Sequence, residues 1–338
     1  PSASGQTKAL RRAYEQAGVT SDTIELIEAH GTGTKVGDAI EVTALREVYG
    51  EADKPWCAIG SIKSQIGHTK AAAGSAGLIK ASLALYHKNL PPTIKVKHPS
   101  EAVSADTSPF YVNTELRPWI PRADHPRRAG VSALGFGGSN FHCLLEEHRA
   151  EKQQVDWSGD VQVIAFSAGD RQELAGKLKA FPADGSWEQL RLAAAESRED
   201  FDVNQPLRLT IVSDREKDNP QNQLKTALMM LESKSEQSIW TTPDGCYFAS
   251  IDSSGHLGML FPGQGAQYLG MQKELVLHFP SALEEMTLAD RSFVTATDAK
   301  YGRLVDKVYP VPSFDAETKE QDDLSLRATE NAQPALGS

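Results

Sequence analysis

Two short apolar runs, each leading into a turn that contains a histidine, constrain the fold of this chain more than any other feature. The first run, TIELIEA, ends at His30 and the loop GTGTKVGD, and the second, WCAIGSI, continues through KSQIGH to His68. Helical spacing of apolar residues follows each turn, over 39–49 and 70–87. Buried strands that alternate with helices are typical of layered α/β domains. The sequence therefore predicts a layered α/β domain over residues 1–148.

The loop GTGTKVGD resembles a phosphate-binding loop only superficially. A P-loop requires GxxxxGK[ST], but here Lys35 precedes Gly37, and Asp38 would repel an anion. A dinucleotide-binding loop, GxGxxG, has one residue fewer between its second and third glycines. The pattern therefore disfavours a phosphate site. Asp38 and Glu41 instead have the spacing of a capping box ahead of the helix 39–49.

His30 alone has two interpretations. A single histidine after a strand is more often a hydrogen-bonded structural residue than a catalytic one. His68 favours the second interpretation, because it also follows a strand-like run and precedes a helix. Such turns gather at one edge of an α/β sheet, where ligands bind. Lys63 lies five residues before His68 and is placed to hydrogen-bond to the pair or to tune it.

A third glycine-rich loop, GFGGSN, separates the strand-like runs RAGVSAL and FHCLLEE. Its glycines, Gly135, Gly137 and Gly138, would allow backbone N–H groups to approach a ligand closely. Phe136 between them would form an apolar gate. We therefore include this loop in the predicted site.

Together, EAHGTGT at 28–34, KSQIGH at 63–68 and GFGGSNFH at 135–142 resemble the three later motifs of the β-ketoacyl synthases. The resemblance is to the large multifunctional type found in polyketide synthases, and it extends over residues 1 to about 148. It implies the C-terminal half of a thiolase-like layered α/β fold. The implied reaction is the decarboxylative Claisen condensation of an acyl thioester with malonyl carried on an acyl carrier protein.

The resemblance also implies roles for the residues of the three loops. His30 and His68 correspond to the two histidines of the family's Cys-His-His set. Loss of CO2 from malonyl leaves an enolate, and imidazole N–H donors stabilise its oxygen in a dry site. Burial keeps such an imidazole neutral by lowering its pKa from about 6.5. Lys63 corresponds to a lysine that organises the second histidine, and Phe136 to a gating phenylalanine.

The family's nucleophile has no counterpart in this sequence. That nucleophile is a cysteine in an elbow of the type D-[TS]-A-C-S-S, upstream of the first histidine. Cys57, Cys143 and Cys246 lie in other contexts, and their spacing forms neither a disulfide framework nor a zinc site. The chain starts at Pro1 without a methionine, and we expect the missing half to precede it. The isolated chain is therefore expected to be inactive.

A second resemblance begins at residue 261. FPGQGAQYLGM resembles the opening of the malonyl/acyl-CoA:acyl carrier protein acyltransferases, which implies that the backbone N–H of Gln264, beside Gly265, belongs to an oxyanion hole. An apolar strand is expected to enter this loop. The serine elbow GHSxG is absent, and Ser338 lacks that context. The predicted domains are a ketosynthase C-terminal half at 1–150, a small α/β linker domain at 151–254 with the order β-α-α-β-α, and the N-terminal part of an acyltransferase α/β domain at 255–338.

Composition limits the partners. The chain has 35 Lys and Arg against 45 Asp and Glu, a net charge of −10, which disfavours nucleic-acid binding. No apolar run reaches the length of a membrane span, and a cytoplasmic location is expected. We expect no metal and no cofactor in the chain itself. The resemblance implies phosphopantetheine on an acyl carrier protein as the carrier, malonyl-CoA and acyl thioesters as substrates, and a homodimeric parent synthase.

A hypothesis from another class stays open. The chain would then be a non-catalytic scaffold or docking module, or a module resembling a chain-length factor, and a cysteine elbow in the parent sequence would exclude this. The helix 70–87, rich in small residues, is expected to be buried. Because the two halves of the family fold pack together, one half alone would expose more apolar surface than a soluble monomer tolerates. We therefore expect self-association or a rearranged lobe.

Overall fold

The computed structural model describes most of the chain, in two compact units. The first unit contains residues 1–155 and 261–338, and the second contains 156–260. Each unit is described by itself. The predicted division at residues 150 and 254 into ketosynthase, linker and acyltransferase segments stays a prediction. The residues outside the description are Pro1, 154–158, 235, 251–257, 259, 261, 264, 329, 332–333 and 336–338.

A five-stranded sheet organises the first unit. Its strand order is β4-β2-β1-β6-β7, in which β1, β2, β4 and β6 are parallel and β7 is antiparallel to β6. A separate two-stranded pair joins β3 to β5. The strands are β1 Leu26–Glu28, β2 Cys57–Gly60, β3 Asn89–Leu90, β4 Phe110–Val112, β5 Arg117–Pro118, β6 Arg128–Leu134 and β7 Asn140–Glu146. The carboxyl ends of β1, β2 and β6 therefore meet at one edge of the sheet.

Helices cover both faces of this sheet. Ile27 points to one face and packs with residues of α1 and α2, including Leu10 and Leu45. Its neighbour Leu26 points to the other face and packs with Ala81 of α4, as side chains alternate along a strand. The predicted layered α/β architecture is confirmed. The helices before residue 90 are α1 Ala3–Ala17, α2 Lys35–Tyr49, α3 Lys63–Ile66 and α4 Ala73–His87.

The start of α2 differs from the prediction. The helix begins at Lys35 rather than at residue 39, so Asp38 lies inside its first turn. Glu41 does not cap the helix, because its carboxylate accepts hydrogen bonds from the backbone N–H groups of His30 and Gly31. The predicted capping box is therefore wrong. The physical reason is that the glycine loop turns back over the helix and supplies unpaired N–H groups to Glu41.

One face of α4 is buried and the other is open. Gly77 permits close packing on the sheet, because a Cβ there would lie 3.0 Å from Cγ of Glu28. On the opposite face, four large apolar side chains are between 40% and 61% exposed: Leu78, Ile79, Leu83 and Tyr86. The expectation of a buried helix is thus correct for one face only.

Residues 265–335 of the first unit are helical where they have regular structure. Met271, Leu283 and Phe293 form a core that also includes Ile120. Arg303 is paired with Asp290 and donates to the carbonyl oxygens of residues 120 and 121. The strand expected before the Gly/Gln loop falls largely on residues outside the description. The helices are α8 Lys273–His278, α9 Pro280–Ala296, α10 Leu304–Val308 and α11 Ala316–Arg327, while α5 to α7 belong to the second unit.

The second unit contains an antiparallel four-stranded sheet of order β10-β11-β9-β8. The order β-α-α-β-α is confirmed, and it is followed by a hairpin, β10–β11, that the prediction omitted. One hydrophobic cluster joins the sheet to all three helices. The elements are β8 Val161–Ala168, α5 Arg171–Ala180, α6 Trp187–Glu199, β9 Leu207–Asp214, α7 Pro220–Ser233, β10 Ile239–Thr241 and β11 Cys246–Ser250. A linker role for this unit stays a prediction.

Candidate active site

His30 and His68 lie together at the carboxyl edge of the first sheet. Glu28, the last residue of β1, is in register with Gly60, the last residue of β2. The chain continues from these positions to His30 and, through α3, to His68. Their imidazole centroids are 5.5 Å apart, and the ring planes are nearly perpendicular, at 85°. The structure thus brings together the two histidines that the sequence singled out, while their catalytic roles stay predictions.

A backbone hydrogen bond determines the tautomer of His68. The N–H of Lys70 donates to Nδ1 of His68 over 3.0 Å. A nitrogen that accepts a hydrogen bond carries no proton, so the neutral ring carries its proton on Nε2. Gly67 precedes it with a φ of 76°, a conformation that favours glycine. The exposed His68 ring therefore presents an N–H donor from a fixed position.

His30 is held in its neutral form. Burial, together with the positive charge of Lys63 and the nearby His68, lowers the pKa of His30 to about 4. Its Nδ1 is buried and has no hydrogen-bond partner among the described residues. At neutral pH the His30 ring is therefore uncharged, as a donor to a developing oxyanion should be.

Glu41 fixes the backbone that carries His30. Its two carboxylate oxygens accept from the N–H groups of His30, at 2.7 Å, and Gly31, at 2.9 Å. Burial raises the pKa of Glu41 to about 7, although these two hydrogen bonds oppose the rise. The sequence interpretation missed this role because the spacing to Asp38 matched a capping box. The signal that was available is a glutamate on the core-facing side of α2, beside Val42 and Leu45.

Glu41 is expected to make the stability of the chain depend on pH. Its pKa is about 7 in the folded chain against an ordinary value of 4.5, so the folded state holds the proton more tightly between these values. This proton on Glu41 stabilises the folded state fully below pH 4.5. As the pH rises to 7, the stabilisation is lost and the free energy of unfolding falls by about 3 kcal/mol. Glu41→Gln removes this dependence. Urea unfolding of both proteins at several pH values measures it.

The difference between the two proteins isolates the Glu41 contribution. His30 acts with the opposite sign, because its lowered pKa favours the folded state as the pH rises from 4 to 6.5. Glu41→Gln retains His30, so that contribution cancels in the comparison. A difference in unfolding free energy that is constant from pH 4.5 to 7 would contradict the assignment.

Lys63 begins α3 and lies between the two histidine-bearing segments. Burial lowers the pKa of Lys63, and the carboxylates of Glu28, Glu41 and Asp38 oppose this effect. Its charge in turn lowers the pKa of His30. The lysine therefore acts electrostatically on His30, while its predicted role beside the second histidine stays a prediction.

The loop with Phe136 lies at the same edge of the sheet but apart from the pair. Residues 135–139 close the hairpin between β6 and β7, and Gly137 and Gly138 have φ values of 81° and 88°. The strand β6 runs three residues past Val131, the register partner of Glu28. The Phe136 side chain is fully exposed. The structure does not bring it onto the histidines, and its gating role, with that of Gly135, stays a prediction.

The Gly/Gln loop is described only in part. Gln264 lies outside the described residues. The N–H of Gly265 donates to Oε1 of Gln267 over 2.8 Å, so this donor is already engaged by a buried side chain. An oxyanion role for this loop stays a prediction.

A basic cleft of about 830 Å³ adjoins the His30 loop. Its lining residues come from the segments 29–42, 59–64 and 93–103 and from Val112, and neither His30 nor His68 is among them. Three acidic residues line the cleft, namely Asp38, Glu41 and Glu101. They are outnumbered by four lysines, namely Lys35, Lys63, Lys95 and Lys97. Excess positive charge in a cleft attracts anionic ligands.

Neither thiol of the first unit adjoins the histidines. Cys57 lies at the amino end of β2, opposite the histidine edge, and burial raises its thiol pKa well above the ordinary value. Cys143 lies on β7, two strands from β1, which is about 10 Å at the usual strand spacing. Burial raises the pKa of Cys143 too, and that of Cys246 in the second unit to about 11. None of the three has the features of an activated nucleophile.

Metal-binding clusters and membrane-spanning helices are both missing from the part of the chain that the structure describes. Among those residues, no group of three or more His, Cys, Asp or Glu side chains is arranged to hold a metal ion. Within the same part of the chain, no helix has the length and hydropathy needed to cross a bilayer.

The sequence of the chain matches one protein family and several individual proteins. Residues 1–97 match the family of the β-ketoacyl synthase C-terminal domain. The chain is 37% identical, over 99% of its length, to one subunit of the polyunsaturated fatty acid synthase of Thraustochytrium sp.. It is 35% identical to erythronolide synthase EryA3 of Saccharopolyspora erythraea over 93% of its length. It spans only 13% and 10% of these relatives.

One solved structure is similar in sequence to part of the chain. Ketosynthase twelve of the bacillaene polyketide synthase of Bacillus amyloliquefaciens is 31% identical and aligns with 69% of this chain and 40% of its own, with a TM-score of 0.42. The sequence matches therefore carry the assignment. The chain contains the C-terminal domain of a ketosynthase, of the kind found in polyketide and polyunsaturated fatty acid synthases.

Proposed function

We propose that His30 and His68 are the oxyanion donors of a ketosynthase that performs decarboxylative Claisen condensation. The observation that carries the proposal is the pair itself: two imidazoles with centroids 5.5 Å apart at neighbouring strand ends, with Nε2–H of His68 available as a donor. Donors fixed before the reaction stabilise a developing oxyanion without reorganisation. The neutral state of His30 suits this role, because a positive imidazolium would transfer its proton more readily.

The basic cleft supports an anionic substrate carrier. Lys35, Lys63, Lys95 and Lys97 line it beside the His30 loop. We propose that acyl and malonyl thioesters reach the histidines on the phosphopantetheine of an acyl carrier protein, or from malonyl-CoA. Phe136 would then gate the site after a movement of the hairpin loop.

The experiment that tests this function separates loading from decarboxylation. In the synthase of which we propose this chain is a part, the double variant His30→Ala/His68→Ala should still accept the acyl group on the nucleophilic cysteine. It should lose the release of CO2 from malonyl carrier protein, because the enolate is no longer stabilised. Release of CO2 at the unchanged rate would overturn the proposal.

The chain by itself is expected to be inactive in condensation. Cys57 and Cys143 lie away from the histidine edge of the sheet, and burial raises the thiol pKa of Cys246 to about 11, so we expect none of the three to form an acyl-enzyme. Incubation with malonyl-CoA, an acyl thioester and a carrier protein should leave all masses unchanged. Formation of a β-ketoacyl product by the chain alone would contradict this expectation.

We further propose that the exposed face of α4 is covered in the parent synthase by the other half of the ketosynthase. Isolated, this face should drive self-association, since it presents a contiguous apolar surface. Light scattering after size exclusion should show oligomers for the chain and a monomer for Ile79→Glu/Leu83→Glu. As a control, Leu192→Glu/Met229→Glu changes exposed residues of the second unit and should leave the oligomers unchanged. A dilution-stable monomer for the unaltered chain would contradict the expectation.

The remaining proposals concern the rest of the parent. We propose that residues 151–254 link the ketosynthase to an acyltransferase that begins near residue 255, with Gln264 and Gly265 in its oxyanion loop, and that the parent is a cytoplasmic homodimer. A second candidate is a module that decarboxylates without condensing or that resembles a chain-length factor. The absence of a first-unit thiol beside the histidines favours it, and release of CO2 without a condensation product would identify it.

A further inference from the structure

A buried ion pair lies beneath the two histidine-bearing loops. The ammonium Nζ of Lys80, on α4, is 2.8 Å from Oε2 of Glu28, the last residue of β1. The two side chains are 9% and 2% exposed. Two opposite charges taken out of water at such a position require an explanation, since an apolar pair of similar volume is often equally or more stable.

The second oxygen of Glu28 makes a different contact. Oε1 accepts a hydrogen bond from the backbone N–H of Ile62 over 2.6 Å. Ile62 is the residue directly before α3, from which the chain continues through Lys63 to His68. Glu28 is itself two residues before His30. One carboxylate therefore connects the segment of His30 to the start of the segment that carries Lys63 and His68.

Lys80 determines the state of that carboxylate. Burial raises the pKa of Glu28, and the charge and hydrogen bond of Lys80 oppose this rise. The close approach of α4 at Gly77, where a Cβ would be 3.0 Å from Cγ of Glu28, fixes where the carboxylate lies. Lys80 thus compensates the charge of the carboxylate, and Glu28, which accepts from the Ile62 N–H, is the positioning residue.

We propose that Glu28 sets the distance between His30 and His68 by fixing the backbone at Ile62, while Lys80 compensates the charge of its buried carboxylate. Significance for catalysis rests on the proposed function, but the positional effect concerns geometry alone. Oε1 of Glu28 faces the Ile62 N–H, while Oε2 faces the ammonium of Lys80. When that acceptor is lost, the segment of Lys63 and His68 is free to move away from His30.

Two double variants of the 338-residue chain separate positioning from simple stabilisation. Glu28→Gln/Lys80→Met keeps an amide oxygen for Ile62, whereas Glu28→Leu/Lys80→Met removes it. Both remove the same two charges, so the direct electrostatic change is matched. The readout is the pKa of His30, followed by NMR of its ring and assigned with His30→Gln.

The proposal predicts different outcomes for the two variants. In Glu28→Gln/Lys80→Met the His30 pKa stays at about 4, as in the unaltered chain. In Glu28→Leu/Lys80→Met it rises by part of that shift, because Lys63 and His68, which add to the larger effect of burial, lie farther away, and the proton contacts between the two rings weaken. Equal His30 pKa values in the two double variants would overturn the proposal.

A third variant tests the same contact from the donor side if the leucine variant fails to fold. Ile62→Pro removes the N–H, and its φ of −55° suits proline. The ion pair remains intact, yet the His30 pKa should rise as in the leucine variant. Ile62→Ala removes only side-chain atoms and should leave the pKa at about 4. A His30 pKa that is the same in both Ile62 variants would overturn the proposal independently of synthase activity.

Discussion

His68→Ala is expected to slow decarboxylative condensation by about 10²–10³-fold in the synthase of which we propose this chain is a part. The substitution removes the Nε2–H donor that the hydrogen bond from Lys70 fixes in place. The acyl-loading step should proceed as before, because in the proposed reaction His68 acts on the malonyl oxygen. Single-turnover measurements of acyl transfer and of CO2 release separate the two steps.

A matched control uses another exposed histidine. His148 follows β7 and is exposed, so His148→Ala should change neither step. His30→Ala should cause a loss of similar size to His68→Ala, and the double variant should lose less than the product of both, because the two donors act on one oxygen. A loss below about tenfold for His68→Ala would contradict the oxyanion assignment.

Lys80→Met is expected to lower the free energy of unfolding of the chain by about 3–5 kcal/mol. The substitution leaves the carboxylate of Glu28, 2% exposed, without its opposite charge. The carboxyl must then either take up a proton or stay ionised without compensation, and both are unfavourable. Guanidinium or urea unfolding with linear extrapolation measures the loss.

The control for Lys80→Met is an ion pair of the same unit at the surface. Lys273 and Glu115 are 3.4 Å apart, with side chains 28% and 64% exposed. Lys273→Met should cost less than about 1 kcal/mol. Glu28→Gln/Lys80→Met should recover most of the loss of Lys80→Met. Equal losses for Lys80→Met and Lys273→Met would contradict the assignment of a buried, coupled pair.

The sheet edge was predictable because its information is local. An apolar run, a glycine turn and a helix fix a strand-to-helix connection, and parallel strands collect such turns at one edge. That logic placed His30 beside His68, and it holds although β1 has only three residues. The same logic does not predict distances. The 5.5 Å between the ring centroids of His30 and His68 depends on how the whole layer packs.

Residues that support the site could not be assigned from spacing. Glu41 has the sequence context of a helix cap, and only the return of the glycine loop over α2 shows that it holds the backbone of His30. Lys80 and Glu28 are far apart in sequence and meet only because Gly77 lets α4 approach β1. Long-range contacts of this kind leave no periodic signal.

The loops at residues 135–139 and around residue 265 show what loop composition does not predict. Their glycines and Phe136 were predicted to belong to the sites, yet Phe136 is fully exposed and the N–H of Gly265 is engaged by Gln267. Composition indicates that a loop permits close approach, but it does not indicate which partner approaches. A structure with bound substrate, of the synthase of which we propose this chain is a part, would show which group approaches each loop.

The imidazole 15N spectrum of the chain, followed as a function of pH, tests most directly whether His30 and His68 are fixed, uncharged donors. We predict that His30 titrates with a pKa of about 4 and is neutral above it. We also predict that neutral His68 carries its proton on Nε2, because Nδ1 accepts from the Lys70 N–H. A His30 pKa near 6.5 together with an Nδ1–H tautomer of His68 would contradict these predictions, since neither ring would then be the fixed, uncharged donor that the proposed reaction requires.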